Sequence, residues 1–184
     1  MSMNYSLTTI SEENIIKVEN DPAFICLFIE PEMYLDFTET ESEEIPEVIL
    51  EQGEDKKLNI GWSAQFAGMM HFCLSEKRVL KNTPIDFLLG GGFDTDIEMG
   101  WSTIRVVSPL DLKKALNALE NLSDDCISTN FDSNELINLK FLPEDYDPTS
   151  NEDYISNLNS GLNNLINELK QCLNSNFGVY IELI

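Results

Sequence analysis

ISNLNSGLNNLINELKQCLNSNFGVYIEL, residues 155–183, carries the two patterns that decide the fold. Ile155, Leu158, Leu162, Leu165, Ile166, Leu169 and Leu173 recur every three or four residues over about five turns, with Asn, Glu and Lys between them. That period marks an amphipathic helix with one face on a core. Beyond it, Val179-Tyr180-Ile181-Glu182-Leu183 reads as a strand. The other end of the chain matches it: Tyr5-Ser6-Leu7-Thr8-Thr9-Ile10 alternates, is rich in β-formers and is stopped by Ser11. Strands at both termini with helices between them predict an α+β fold. One small mixed or antiparallel sheet, including both terminal strands, is packed with several helices in a single domain over residues 1–184.

The middle of the chain supplies the helices. Ser11-Glu12-Glu13-Asn14 places a capping hydroxyl ahead of two acids, predicting a helix to about Asn20. Asp21-Pro22 restarts the helix, and Ala23 to Ile29 is apolar on every side, as a deeply buried segment requires. From Trp62 to Leu74, Trp62, Phe66, Met69, Met70, Cys73 and Leu74 recur at helical spacing and predict an amphipathic core helix. Pro84 to Leu89 reads as a short helical piece ended by Gly90-Gly91-Gly92, with a loop after it. Thr103 to Val107 reads as a strand, Ser108-Pro109 as the start of a helix to about Leu122, and Phe131 to Leu142 as a short helix closed by Pro143.

Charge excludes more than it identifies. The chain has 33 Asp and Glu against 11 Lys and Arg, a net −22. Phosphate backbones are repelled, and no basic run offers a nucleic-acid footprint. Such a field either keeps the surface solvated or steers a basic partner onto it. The acids concentrate between Pro31 and Asp55, where ten occur with no Lys or Arg, interrupted by Met33, Tyr34, Leu35, Phe37 and Ile45 to Leu50. The apolar residues predict a segment that packs while its carboxylates point outward. Cys26, Cys73, Cys126 and Cys172 form no C-x-x-C pair, so a zinc ribbon is not expected, and reduced buried thiols fit a cytoplasmic chain. The N-terminus lacks the features of a signal peptide. No apolar stretch approaches the roughly 18 residues of a membrane span, so no membrane partner is expected.

Several stretches together resemble the YfbM-like family of bacterial proteins. They are Met1-x-Met3-x-Tyr5 with its strand and Ser-Glu-Glu helix start; His71-Phe72-Cys73-Leu74-Ser75, similar to the family's His-x-Leu-Leu-Thr; and Pro84 to Gly92. Gly100-Trp101-Ser102-Thr103-Ile104-Arg105-Val106-Val107-Ser108-Pro109 and the segment from Phe131-Asp132 to Pro143 complete the set. The resemblance spans most of the chain except an acidic insertion at about 31–55. Where the family has a Trp four residues before its His, this chain has Ala67, so what that Trp supports is either missing here or taken over by Trp62 or Phe66. The resemblance implies an α+β fold and no established reaction.

Candidate chemistry is sparse. His71 is the only histidine, so any Ser-His-Asp or Cys-His arrangement must use it, yet its neighbours Met69, Met70, Phe72 and Cys73 suit a core position. Gly90-Gly91-Gly92 lacks phosphate-loop spacing and leads into Asp94, Asp96 and Glu98. Asp94-x-Asp96-x-Glu98 departs from a calcium loop, with Met99 at the sixth position and Arg105 at the twelfth. No catalytic residue, metal or cofactor is therefore assigned. The leading expectation is a non-catalytic acidic binding protein, in its most specific form an immunity protein that binds and neutralises a basic toxin domain. Its partner contacts would be Glu39, Glu41, Glu43, Glu44 and Glu47 with Asp145 and Asp147 of the acidic turn. The alternative is a small-ligand binder or an enzyme using a cleft lined by His71, Trp101 and Arg105.

Overall fold

The computed structural model describes residues 3–38, 45–75 and 83–184. β1 (Tyr5–Ile10) leads into α1 (Glu12–Asn20), whose cap is Ser11: its hydroxyl accepts a hydrogen bond from the Asn14 amide at 3.3 Å. A 3₁₀ turn, Pro22–Ile25, continues into α2 (Cys26–Ile29); a second, Pro31–Met33, continues into α3 (Tyr34–Phe37). Residues 45–63, with a turn at 52–55, lead into α4 (Ala64–Leu74), capped by Ser63, and α5 (Asp86–Leu89) follows. The hairpin of β2 (Phe93–Met99) and β3 (Ser102–Val107) comes next. Four helices then precede the last strand: α6 (Pro109–Glu120), α7 (Cys126–Asn130), α8 (Ser133–Asn138) and α9 (Asn151–Asn174), with β4 (Gly178–Leu183) closing the chain.

The four strands form one antiparallel sheet in the order β1-β4-β3-β2. The terminal strands pair from Tyr5 opposite Leu183 to Ile10 opposite Gly178, as expected. Side chains alternate across the pleat, so the sheet has two buried faces. Leu7, Val107, Val179 and Ile181 join a core with Met70, Leu112, Leu165 and Leu169 from α4, α6 and α9. Ile10, Ile104, Val106 and Tyr180 face a smaller core with Ile15, Val18, Ile25 and Cys26 from α1 and the turns after it. The result is three layers, with the acid-rich 31–38 and 45–53 stretches on the smaller side.

Three expectations are corrected. The loop after Gly92 is β2: Thr95 and Ile97 are buried while Asp94, Asp96 and Glu98 are exposed, a period of two. A charge at every second position suits an edge strand, because it blocks pairing with another chain. The register shifts between Asp94 and Glu98, with Asp96 in the left-handed region at φ 57°. Second, α4 is not two-faced. Trp62 lies outside it in extended chain, and every residue from Ala67 to Leu74 is buried, because α7 and α9 pack on it. Third, the Phe131 to Leu142 helix is only α8. The chain leaves the helix at Lys140, φ 61°, and the Phe141 and Leu142 amides both donate to the Leu136 carbonyl.

Candidate functional site

His71, in α4, is 4% exposed. Its Nε2 lies 2.9 Å from Asp86 Oδ1 at the start of α5, and the Thr83 hydroxyl donates to the same oxygen at 3.1 Å. Burial pushes the Asp86 carboxyl up, but the hydrogen bonds from His71 and Thr83 outweigh it and hold the group below its ordinary value. A histidine oriented by a carboxylate is two-thirds of a nucleophilic triad. Here Thr83 donates to the acid rather than to the imidazole, so it is placed as a third structural partner and not as a nucleophile.

Arg105 holds the other end of α5. Its Nη1 donates to the Phe87 and Gly91 carbonyls at 3.0 Å each, and its Nη2 donates to the Leu88 carbonyl. A cation on the last carbonyls of a helix satisfies acceptors that have no partner within the helix and complements the helix dipole. Trp101 sits apart, 62% exposed at the tip of the β2–β3 hairpin, with its amide donating to the Leu183 carbonyl. Along the backbone it is four residue steps from Arg105, about 13 Å at the rise of a strand. Thus His71 and Arg105 converge on one short helix from its two ends, and Trp101 stands away from both.

The acidic candidates divide differently. Glu39, Glu41, Glu43 and Glu44 lie outside the described residues. Glu47 is exposed in the layer over the smaller core, where Met33 and Tyr34 pack. Asp145 and Asp147 are exposed beside Tyr146, which packs on the larger core across the sheet. The two acidic stretches therefore belong to opposite layers rather than to one face. Asp147 also shapes its own turn, accepting from the Thr149 amide at 2.9 Å, a bond that holds its carboxyl below the usual range.

Nor do all the carboxylates point outward. Glu54 is 8% exposed; its Oε1 accepts from the Ser11 amide at 2.8 Å and from Asn14 Nδ2 at 2.7 Å, and its Oε2 accepts from the Glu51 amide at 2.9 Å. Asn14 also donates to the Ile49 carbonyl at 3.4 Å. The 45–55 stretch is thereby tied to the N-terminus of α1. Anchored this way, it presents apolar side chains instead of hiding them: Ile45 is 40% exposed, Ile49 82% and Leu50 50%. Phe37 on α3 and Ile16 on α1 are exposed as well. A cleft of about 300 Å³ opens among Leu27, Phe28, Pro31, Pro46, Val48 and Leu50, with Glu47 and Asp55 also lining it. The sequence signal for this surface was the apolar run inside an acidic one, read there as packing residues.

Among the described residues, no group of three or more His, Cys, Asp and Glu could hold a metal ion. No helix among them is long and apolar enough to cross a membrane. The four cysteines form no disulfide.

No curated protein matches the chain. Among solved structures, a protein of unknown function, YfbM from Escherichia coli, superposes with a TM-score of 0.64 at 14% identity, covering 99% of this chain and 100% of that one. At that identity the likeness shows the fold alone. The model of the family described as "Domain of unknown function (DUF1877)" matches residues 1–181 and runs through the acidic stretch. The family resemblance carried by His71 to Ser75, Pro84 to Gly92 and Gly100 to Pro109 thus extends over nearly all of the sequence, and the chain belongs to the DUF1877 family of YfbM-like proteins.

Proposed function

We propose that this chain is a non-catalytic binding protein that receives a basic protein partner on the layer built from α1 to α3 and residues 45–55. The observation that carries this reading is the exposure of Phe37, Ile45, Ile49 and Leu50 among the carboxylates Glu30, Glu32, Asp36, Glu47 and Glu51. Exposed apolar side chains inside a charged surround have the make-up of a protein interface, in which an apolar centre supplies affinity and the rim supplies orientation. The cleft beside Leu50 takes an apolar side chain of the partner, and Glu47 and Asp55 meet flanking Lys or Arg. The −22 charge speeds the encounter. Small acidic cytoplasmic proteins that cap a basic toxin domain work in this way, and the immunity role extends the reading by analogy. His71 and Arg105 support the non-catalytic side of it, since both are engaged in holding α5.

The test is capture from the source cell's lysate by immobilised protein at low salt, alongside an Ile49→Asp, Leu50→Asp variant. A basic protein retained in stoichiometric amount, released by salt and lost from the variant is the expected result. Equal retention of the same proteins by both forms, or no basic partner at all, would sink the proposal.

A further inference from the structure

A groove of about 540 Å³ runs between α4 and α9, on the side of the sheet opposite the proposed partner surface. Its volume falls in the range of small-molecule sites, and its walls combine aromatic and apolar side chains with the amides of Asn157 and Asn164 and the hydroxyls of Tyr154 and Ser160. In a chain with 33 acids and 11 bases, no Asp, Glu, Lys or Arg among the described residues lines it. A ligand's ionic group would find no counter-charge there, which favours an uncharged occupant.

One wall atom points to the chemistry of that occupant. Trp62 is 1% exposed, and its indole Nε1, a donor only, has no hydrogen-bond partner. Buried donors are nearly always satisfied, so an orphan beside a groove calls for an acceptor. Gly161, on α9, faces the same atom: a Cβ at that position would lie 3.2 Å from Trp62 Nε1 and 2.6 Å from the Phe66 ring. Glycine costs stability inside a helix, and here its bare backbone leaves room for the ring. The half-buried Phe66 ring, 5.2 Å from the indole centroid, closes that space. Beyond it, Asn164 spends its amide nitrogen on the Asn59 carbonyl, leaving its own carbonyl free to receive a donor from the groove.

We infer that this groove binds a small uncharged molecule with an apolar body and a carbonyl acceptor, which displaces the Phe66 ring and takes the Trp62 indole N–H. The apolar body packs on Met69 and Leu158, and the polar end lies between Trp62 and Asn164. The site does not depend on the partner surface.

The chain has two tryptophans, so a nitrogen-15 NMR spectrum contains two indole N–H signals, and exposed Trp101 serves as the internal control. Benzamide is the probe, with benzoate and tetramethylammonium as charged comparators. The expected result is a saturable shift of the Trp62 signal by benzamide alone, with the Trp101 signal unmoved. Trp62→Phe should weaken benzamide binding about five-fold by ligand-observed saturation transfer, the effect of one lost hydrogen bond. Gly161→Ala, whose Cβ would lie 3.2 Å from Trp62 Nε1 and occupy the space the ligand's acceptor needs, should weaken it as well. No saturable shift, a shift driven equally by either ion, or unchanged affinity in Trp62→Phe would overturn the inference.

Discussion

His71 Nε2 and Asp86 Oδ1 meet at 2.9 Å, joining the buried centre of α4 to the first residue of α5. The imidazole is almost wholly buried, whereas the carboxylate keeps 42% of its side-chain surface. Asp86→Ala leaves a buried ring nitrogen without its partner and should cost about 1–2 kcal/mol in urea unfolding at neutral pH. The pH dependence has a definite sign. A folded-state pKa held below the ordinary 3.8 contributes stability that is present above that value and is lost as pH falls through the folded one. Asp86→Asn should therefore flatten the loss of stability on acidification below about pH 4 relative to the native chain; parallel curves would remove Asp86 from that role.

Glu54 should be the most sensitive acid of the 45–55 stretch. Its carboxylate satisfies the Ser11 and Glu51 amides and the Asn14 side chain, so Glu54→Ala strands several donors at once and should cost about 2–4 kcal/mol. Glu54→Gln retains one acceptor and should cost less. Replacing exposed Glu51 or Glu47 should stay within about 0.5 kcal/mol. Urea unfolding of the four variants measures the contrast.

Arg105→Lys tests the grip on α5. A single ammonium cannot reproduce the planar fork that reaches the Phe87, Leu88 and Gly91 carbonyls, so the variant should lose about 1–2 kcal/mol. Amide exchange should accelerate at residues 88–91 before it does in β3. Uniform acceleration across the sheet would instead make Arg105 a support of the whole hairpin.

The thiols should react in order of burial. Burial pushes the Cys73 and Cys172 thiols up to about 12 and raises that of Cys26 too. Cys126 alone is not fully buried. A thiol reagent at pH 8 should modify Cys126 first, with the other three reacting only as the chain unfolds in denaturant. Peptide mapping after partial labelling reads the order.

The sequence by itself determined the elements whose cause is local. β1, α9 and β4 follow from periodicity. The caps Ser11 and Ser108 follow from a hydroxyl placed three residues before the amide it serves, and the pairing of the terminal strands follows from strands at both ends of one domain. What the sequence obscured is long-range. β2 alternates, but its acids gave it the look of a loop, and only its pairing with β3, from Phe93 opposite Val106 to Met99 opposite Ser102, makes it an edge strand. Glu54 is one acid among ten until the fold brings it to Ser11, 43 residues away. His71 finds Asp86 15 residues later, and Trp62 meets Gly161 only because α9 crosses the start of α4. Local patterns report how a residue sits on its own helix or strand. Which partner a buried polar group receives depends on how the elements pack, because desolvation makes each such group need a partner without specifying which one.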